Sequence, residues 1–196
     1  MTKKEQLLNL IKEKGYITST EINSKHINYY YISTLLKEKK IIRVSSGYYT
    51  LPNGYADNFY VIISKCKKAI FSHATSLYLH NLSDRIPLIY DITVPYGYGN
   101  CYKDKKNIDL HYCKTDYINL GLIELKSPFG MNIKVYDIER IICDIIKNKS
   151  KIDIEIFTKA LKDYAKMTNK DLFKLMKYAK KLGVDKKVRE YMEILL

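Results

Sequence analysis

The stretch Gly15-Tyr16-Ile17-Thr18-Ser19-Thr20-Glu21-Ile22 constrains the fold more than any other part of the chain. Thr18 followed three residues later by Glu21 is a capping box. The hydroxyl accepts from a free amide of the first turn, the carboxylate reaches back to the cap amide, and Ile17 with Ile22 supplies the accompanying hydrophobic staple. A helix therefore starts at Ser19, and it is short, fading near Lys25-His26. Upstream, Leu7, Leu8, Leu10 and Ile11 recur at helical spacing between Thr2 and Lys14, and Gly15 ends the pattern. Downstream, Asn28 is a good cap for a third helix, stapled by Ile27 and Ile32. Two β-prone runs follow, Ile41-Ile42-Arg43-Val44 and Tyr48-Tyr49-Thr50-Leu51, joined by Ser45-Ser46-Gly47 and punctuated by Pro52-Asn53-Gly54. Helix, capped short helix, capped helix and hairpin in that order predict a winged helix-turn-helix over residues 1–52.

On the third helix Ile32, Leu35 and Leu36 form the apolar stripe. Tyr30, Ser33, Thr34 and Lys37 recur at i, i+3, i+4 and i+7 and share another face. In a winged helix-turn-helix that face lies in the major groove of duplex DNA. Ser33 and Thr34 then offer hydroxyls to base edges, Tyr29 and Tyr30 reach phosphate or sugar, and Lys37 supplies a phosphate charge. Arg43 and the hairpin residues Ser45, Ser46 and Tyr48 reach the neighbouring backbone or minor groove, and helix amides near Ser19 and Tyr29 point toward phosphate. A solvated face on a protein–protein module is the competing reading. The charge balance weighs against it, because 34 Lys+Arg stand over 21 Asp+Glu, a formal +13 that favours a polyanionic partner.

Residues 53–196 predict a mixed α+β domain. Helical patterns run over 57–67 and from Ser72 to Asn81-Leu82, strands over 90–94, 108–113, 121–126 and 133–136, and helices over 138–147, 154–165, 171–181 and 186–195. From Lys147 onward 14 Lys/Arg face 7 Asp/Glu. Such stripes are usually solvated helix surface, and a second nucleic-acid face is the functional alternative. No apolar run approaches the ~20 residues of a membrane span, and Met1-Thr2-Lys3-Lys4-Glu5-Gln6 leads directly into an amphipathic pattern. A cytoplasmic protein without membrane contact is expected, with Cys66, Cys101, Cys113 and Cys143 reduced.

The chain holds several combinations that suggest chemistry. His73 and His80 lie two turns apart with no carboxylate positioned by the sequence to complete a metal site, and they read as structural. Cys101, His111 and Cys113 do not have zinc-finger spacing. Ser72-His73 is not expected to act as a nucleophile–base pair, since neighbours on a helix point apart. Tyr96-Gly97-Tyr98-Gly99 reads as a turn, because no Gly-Lys-Ser/Thr follows it. Asp109 with Glu124-Leu125-Lys126 matches the Asp…Glu-x-Lys pattern of metal-dependent nucleases, the main enzymatic rival. A transcription factor whose C-terminal domain senses a ligand is a third reading.

Several blocks together resemble the AbiEi-type antitoxins of abortive-infection, type IV toxin–antitoxin systems. They are Ile41 to Pro52, Phe71-Ser72-His73-Ala74-Thr75-Ser76-Leu77-Tyr78-Leu79-His80-Asn81-Leu82-Ser83-Asp84-Arg85, Thr93-Val94-Pro95, Pro128-Phe129-Gly130 and Val135 to Asp144. The chain departs from that family at Lys39-Lys40, where a Gly near the end of the recognition helix is usual. The resemblance implies a non-enzymatic protein with no cofactor and no metal. It also implies repression of its own promoter region by the N-terminal domain. Through the C-terminal domain it implies neutralisation of a nucleotidyltransferase toxin without a stable complex.

Overall fold

The computed structural model describes residues 2–102 and 106–195. The chain divides into two compact units, Met1–Lys65 and Cys66–Leu196. The N-terminal unit contains α1 (Lys3–Lys14), β1 (Tyr16–Thr18), α2 (Ser19–Ser24), α3 (Tyr29–Lys37), β2 (Ile42–Ser45), β3 (Tyr48–Thr50) and α4 (Asn58–Ser64). The Thr18–Glu21 capping box forms in both directions, and Thr2 with Glu5 repeats the device at α1. Asn28 Oδ1 accepts from the Tyr30 amide at 2.9 Å and starts α3.

Strand β1 is an addition to the expected elements. Its three residues pair antiparallel with β3, giving the sheet order β1-β3-β2. Leu7, Ile11, Ile17, Ile22, Ile32, Leu35, Ile41 and Tyr49 close the core between helices and sheet. Gly47, at φ +71°, makes the hairpin turn, and its carbonyl accepts from the Ser19 amide at 2.7 Å. A β-carbon there would also collide with the Ser19 side chain. Within Lys39-Lys40, Lys39 adopts φ +54°, so α3 ends at Lys37 and the chain turns toward β2 without a glycine.

The expected boundary at residue 52 falls instead between Lys65 and Cys66. The reason is Tyr48. It faces away from the core just named, yet it is 1% exposed. Its ring stacks on Tyr16 at 5.3 Å and meets Tyr60 of α4 at 5.4 Å, while its hydroxyl accepts from the Asp57 amide at 3.5 Å. Ser45 Oγ and Ser64 Oγ, 3.1 Å apart, hold the end of α4 to the hairpin. Helix α4 therefore belongs to the first unit.

The C-terminal unit is α+β. It comprises β4 (Ile70–Phe71), α5 (His73–Leu79), β5 (Tyr90–Pro95), β6 (Ile108–Cys113), β7 (Leu122–Lys126), β8 (Asn132–Tyr136), α6 (Ile138–Lys147), α7 (Ile154–Lys166), α8 (Leu172–Leu182) and α9 (Asp185–Leu195). The sheet order is β6-β5-β4-β8-β7. Strands β5 and β6 pair in parallel, as do β4 and β8, whereas the β4–β5 and β7–β8 pairs are antiparallel. Among the described residues no helix is long and apolar enough to cross a membrane, and all four cysteines are free.

Helix α6 is the centre of this unit, with every residue from Glu139 to Ile146 buried. Its apolar side joins Leu77, Phe157, Leu161, Leu175 and Val188 in one core. Arg140, 2% exposed, bonds both Asp144 carboxylate oxygens through Nε at 3.1 and 3.0 Å. Its Nη1 donates to the Tyr117 and Leu120 carbonyls, each at 2.9 Å, and its guanidinium lies 4.3 Å from the Tyr136 ring centre. Gly121 permits this approach: at φ +77°, a β-carbon there would sit 2.6 Å from Arg140 Cβ.

Removing one member of such a buried pair leaves an uncompensated charge, at a cost of roughly 3–5 kcal/mol. We predict a loss of that size for Arg140→Met in urea denaturation of the full chain, and partial recovery in the double variant Arg140→Met/Asp144→Leu. A loss below about 1 kcal/mol for the single variant would show that the pair does not organise the unit.

Candidate nucleic-acid interface

Helix α3 keeps Ile32 and Leu35 buried and turns Tyr29, Tyr30, Ser33 and Lys37 outward. Tyr30 is 68% exposed and Tyr29 43%, large values for rings that nothing in the first unit needs exposed. The Ser33 hydroxyl donates to the Tyr29 carbonyl at 2.8 Å, and the Thr34 hydroxyl to the Tyr30 carbonyl at 2.9 Å. With their protons turned back along the helix, both oxygens present lone pairs outward, which suits base amino groups. Thr34 is half-buried, so Ser33 is the better placed of the two.

On the hairpin, Arg43 is exposed and its guanidinium loosely contacts the Ser45 carbonyl and Ser46 Oγ, each at 3.4 Å. Ser46 is exposed, while Ser45 is half-buried and engaged with Ser64. Two expectations need correction. Tyr48 cannot reach a duplex, because it is enclosed between Tyr16 and Tyr60, and burial pushes its hydroxyl pKa up to about 12. The Ser19 amide is spent on Gly47 within the hairpin turn, so the start of α2 offers it to no phosphate. The exposed set is therefore Tyr29, Tyr30, Ser33, Lys37, Arg43 and Ser46, with Thr34 behind it.

The nuclease-like set does not assemble. Asp109 lies on β6 and Glu124 with Lys126 on β7, the two opposite edges of the five-stranded sheet. At ~4.8 Å per strand that is roughly 19 Å, far beyond what a shared metal ion spans. Cys101, His111 and Cys113 do not gather either. Cys101 neighbours Cys66, and Cys113 Sγ lies 3.6 Å from Arg140 Nη2.

A polar cluster not anticipated from the sequence does form. The imidazoles of His73 and His111 stack with centroids 3.7 Å apart, and His111 Nε2 meets Asp91 Oδ1 at 2.8 Å. The Asn148 amide donates to His73 Nε2 at 2.8 Å, which leaves Nδ1–H to donate to Ser72 Oγ at 3.0 Å. Ser72 and His73 thus do touch, against expectation. A left-handed backbone at His73, φ +46°, turns its ring back onto its neighbour. Ser72 is fully buried and accepts a further bond from Thr93 at 2.8 Å, so no substrate reaches it. Ligand atoms of His73, Asp91 and His111 lie within 4.8 Å of one another. Both His73 ring nitrogens, however, are already engaged, by Asn148 and by Ser72, and no fourth His, Cys, Asp or Glu joins the group among the described residues. His80 is separate, with Nε2 donating to the Tyr136 carbonyl at 2.8 Å. This cluster joins four chain segments, so no local spacing could have announced it.

Residues 5–52 match a family described as a transcriptional regulator, AbiEi antitoxin. The match lies within the N-terminal unit and covers α3 and the hairpin. It supports an AbiEi-type antitoxin with a DNA-binding regulator role. No curated protein matches the chain.

Two predictions follow from the contrasts above. Tyr48→Ala should cost about 3–5 kcal/mol of stability, the usual penalty for truncating a buried aromatic, whereas Tyr30→Ala should change stability by less than about 0.5 kcal/mol. Equal effects in chemical denaturation would contradict the assignment of one ring as packing and the other as surface. Burial, helped by the charges of His111, Arg140 and Lys151 and opposed by Asp91, lowers the His73 pKa from 6.5 to about 3. The folded state therefore binds fewer protons than the unfolded one in that interval. Stability from this group is complete above pH 6.5 and is lost as pH falls toward about 3. Between pH 6.5 and about 4.5 the native chain should lose roughly 2–3 kcal/mol more than His73→Asn, whose side chain tolerates the left-handed backbone. Superimposable pH profiles would refute it.

Proposed function

We propose that this chain is the antitoxin of a type IV toxin–antitoxin system of the abortive-infection, phage-defence kind, and that it represses its own operon. In this reading the N-terminal unit is a winged helix-turn-helix, with α3 in the major groove and the β2–β3 hairpin as the wing. The observation that carries it is a coincidence within one segment. The AbiEi match at residues 5–52 spans the helix whose Tyr30, Ser33 and Lys37 are exposed while its opposite stripe is buried. The sheet order β1-β3-β2 beside three helices supports the winged-helix reading. The C-terminal unit neutralises a nucleotidyltransferase toxin without a stable complex, and the protein acts in the cytoplasm without catalysis or cofactor. The wide separation of Asp109 from Glu124 and Lys126 counts against the nuclease alternative.

Titration of labelled duplexes tests the DNA half. The sequence upstream of the gene should bind more tightly than unrelated duplex, with affinity falling steeply as salt rises, because each Lys– or Arg–phosphate contact releases counterions. Lys37→Ala should weaken all duplexes alike and reduce the salt slope by about one. Ser33→Ala should reduce discrimination between sequences by about 1–3 kcal/mol per affected base. Unchanged binding in a Ser33→Ala/Thr34→Ala/Lys37→Ala chain would remove α3 from the interface. A growth assay with the toxin under separate control tests the division of labour. Lys37→Ala should derepress the operon yet still protect cells. Truncation after Ser150 removes α7, α8 and α9, exposes the core around α6 and should abolish protection. Equal loss of protection in both, at equal abundance of folded protein, would defeat the two-function reading.

A further inference from the structure

The C-terminal unit encloses a cavity of about 550 Å³ that none of the activities above employs. It lies where the parallel strands β5 and β6 end, lined by Thr93, Tyr96 and residues 110–114, and is walled by the ends of α6 and α8. Carboxyl ends of parallel strands are a recurrent place for ligands, since the chain leaves the sheet there and opens a crevice. The volume falls in the range of small-molecule sites, about 300–1,000 Å³, and is too confined for a duplex.

The lining has one dominant charge. Lys114, Lys147, Lys151, Lys180 and Lys181 all border the cavity, and none forms an ion pair among the described residues. The only bordering carboxylate among the described residues, Asp144, is paired with Arg140. Five uncompensated ammonium groups around one concavity repel each other and focus a positive potential into it. Of the other lysines on α8, Lys174 pairs with Asp137 and Glu139, and Lys177 is exposed away from the cavity. Aromatic surface adjoins the charge. Tyr96 and Tyr112 line the cavity, stack on each other at 5.9 Å and 11°, and remain 66% and 50% exposed. A flat ring can extend that stack. The stacked pair His73–His111 adds polar lining on the cavity's inner wall.

We propose that this cavity binds a nucleoside polyphosphate, its phosphates held by Lys114, Lys147, Lys151, Lys180 and Lys181 and its base against the Tyr96–Tyr112 stack. Lysine ammonium groups serve as point charges for phosphate oxygens, and the count of five matches the three to four negative charges of a nucleoside di- or triphosphate better than a single phosphate. The inference is independent of the repressor reading, since every lining residue lies in the second unit.

Isothermal titration and thermal shift of the full chain with ATP, GTP and inorganic triphosphate test it, at constant ionic strength set with sodium chloride. Saturable binding of at least one nucleotide is expected, with triphosphate at least tenfold weaker. Lys147→Gln/Lys180→Gln should weaken nucleotide binding at least tenfold, and Tyr112→Ala should weaken nucleotide but not triphosphate. Lys37→Ala, on the other unit, should change neither. The milder Lys181→Gln, at an exposed position, gives a graded loss should the double variant fold poorly. A thermal shift reproduced by sodium chloride alone would overturn the proposal. So would triphosphate binding as tightly as ATP, or loss of binding in Lys37→Ala. Tighter binding of a single-stranded oligonucleotide, abolished by the same lysine variants, would assign the cavity to nucleic acid instead and also overturn it.

Discussion

The Arg140–Asp144 pair is the interaction on which most of the C-terminal unit depends. A guanidinium taken out of water must find acceptors for all its donors. It finds them in a carboxylate one turn along its own helix, in two carbonyls of the segment joining β6 to β7 and in Cys113 Sγ at the end of β6. One residue therefore fixes α6 against that segment, and Gly121 is small there because the two backbones nearly touch. The next polar ring outward uses the same helix end. Asp137 caps α6, Glu139 accepts from the Asp171 amide at the start of α8, and Lys174 bridges Asp137 and Glu139 at 2.9 and 3.0 Å. The block Glu139-Arg140 and Cys143-Asp144, a prominent part of the family resemblance, is thus structural in this chain. It ties α6 to the segment between β6 and β7 and to the start of α8.

What the sequence disclosed, and what it hid, follows from the range of each interaction. Capping boxes, staples and apolar periodicity act within a few residues, and α1, α2, α3 and the later helices lie where those signals put them. Strand β1 escaped because its three residues also serve as the staple before α2, and β4 because two residues carry no period. Tyr48 misled for a related reason. Alternation along β3 assigns it to the outer face of a hairpin, and only α4, more than seven residues further on, turns that face into an interior. The face of α3 was legible as a helical stripe. The His73–Asp91–His111 cluster was not, because its geometry arises from the parallel pairing of β5 with β6 and from one left-handed residue.

Lys39 shows how a departure from a family pattern can leave the fold intact. Glycine is favoured at a left-handed helix stop because it lacks the β-carbon that crowds the following carbonyl, a strain of roughly 1–2 kcal/mol for other residues. Here the Lys40 amide still bonds the Leu35 carbonyl at 3.0 Å and Ile41 is still delivered to the core. The burial of Ile41 and the pairing of β2 with β3 outweigh the local strain. In exchange the turn carries cations: Lys37, Lys39 and Lys40 cluster at the end of α3, with Glu38 tied to Lys4 and Lys40. The helix–hairpin junction is thereby more basic than a glycine turn would be.

Helix α8 uses its lysines in two ways along its length. Its first turns spend a lysine on architecture: Lys174 reaches the carboxylates at the start of α6, and Leu175 and Ala179 fill the core behind it. Roughly 9 Å further along, at 1.5 Å per residue, the same helix brings Lys180 and Lys181 to the cavity wall, where neither forms an ion pair among the described residues. Lys147 and Lys151, past the end of α6, meet them there. Other lysines of the C-terminal helices, Lys162, Lys166 and Lys177 among them, face outward with the helical period. On α6 and α8, the anchored end of each helix fixes where the cations of the other end converge. A helix pinned by one ion pair network thus holds a repulsive cluster in place, and that cluster has the field of a site for a small polyanion.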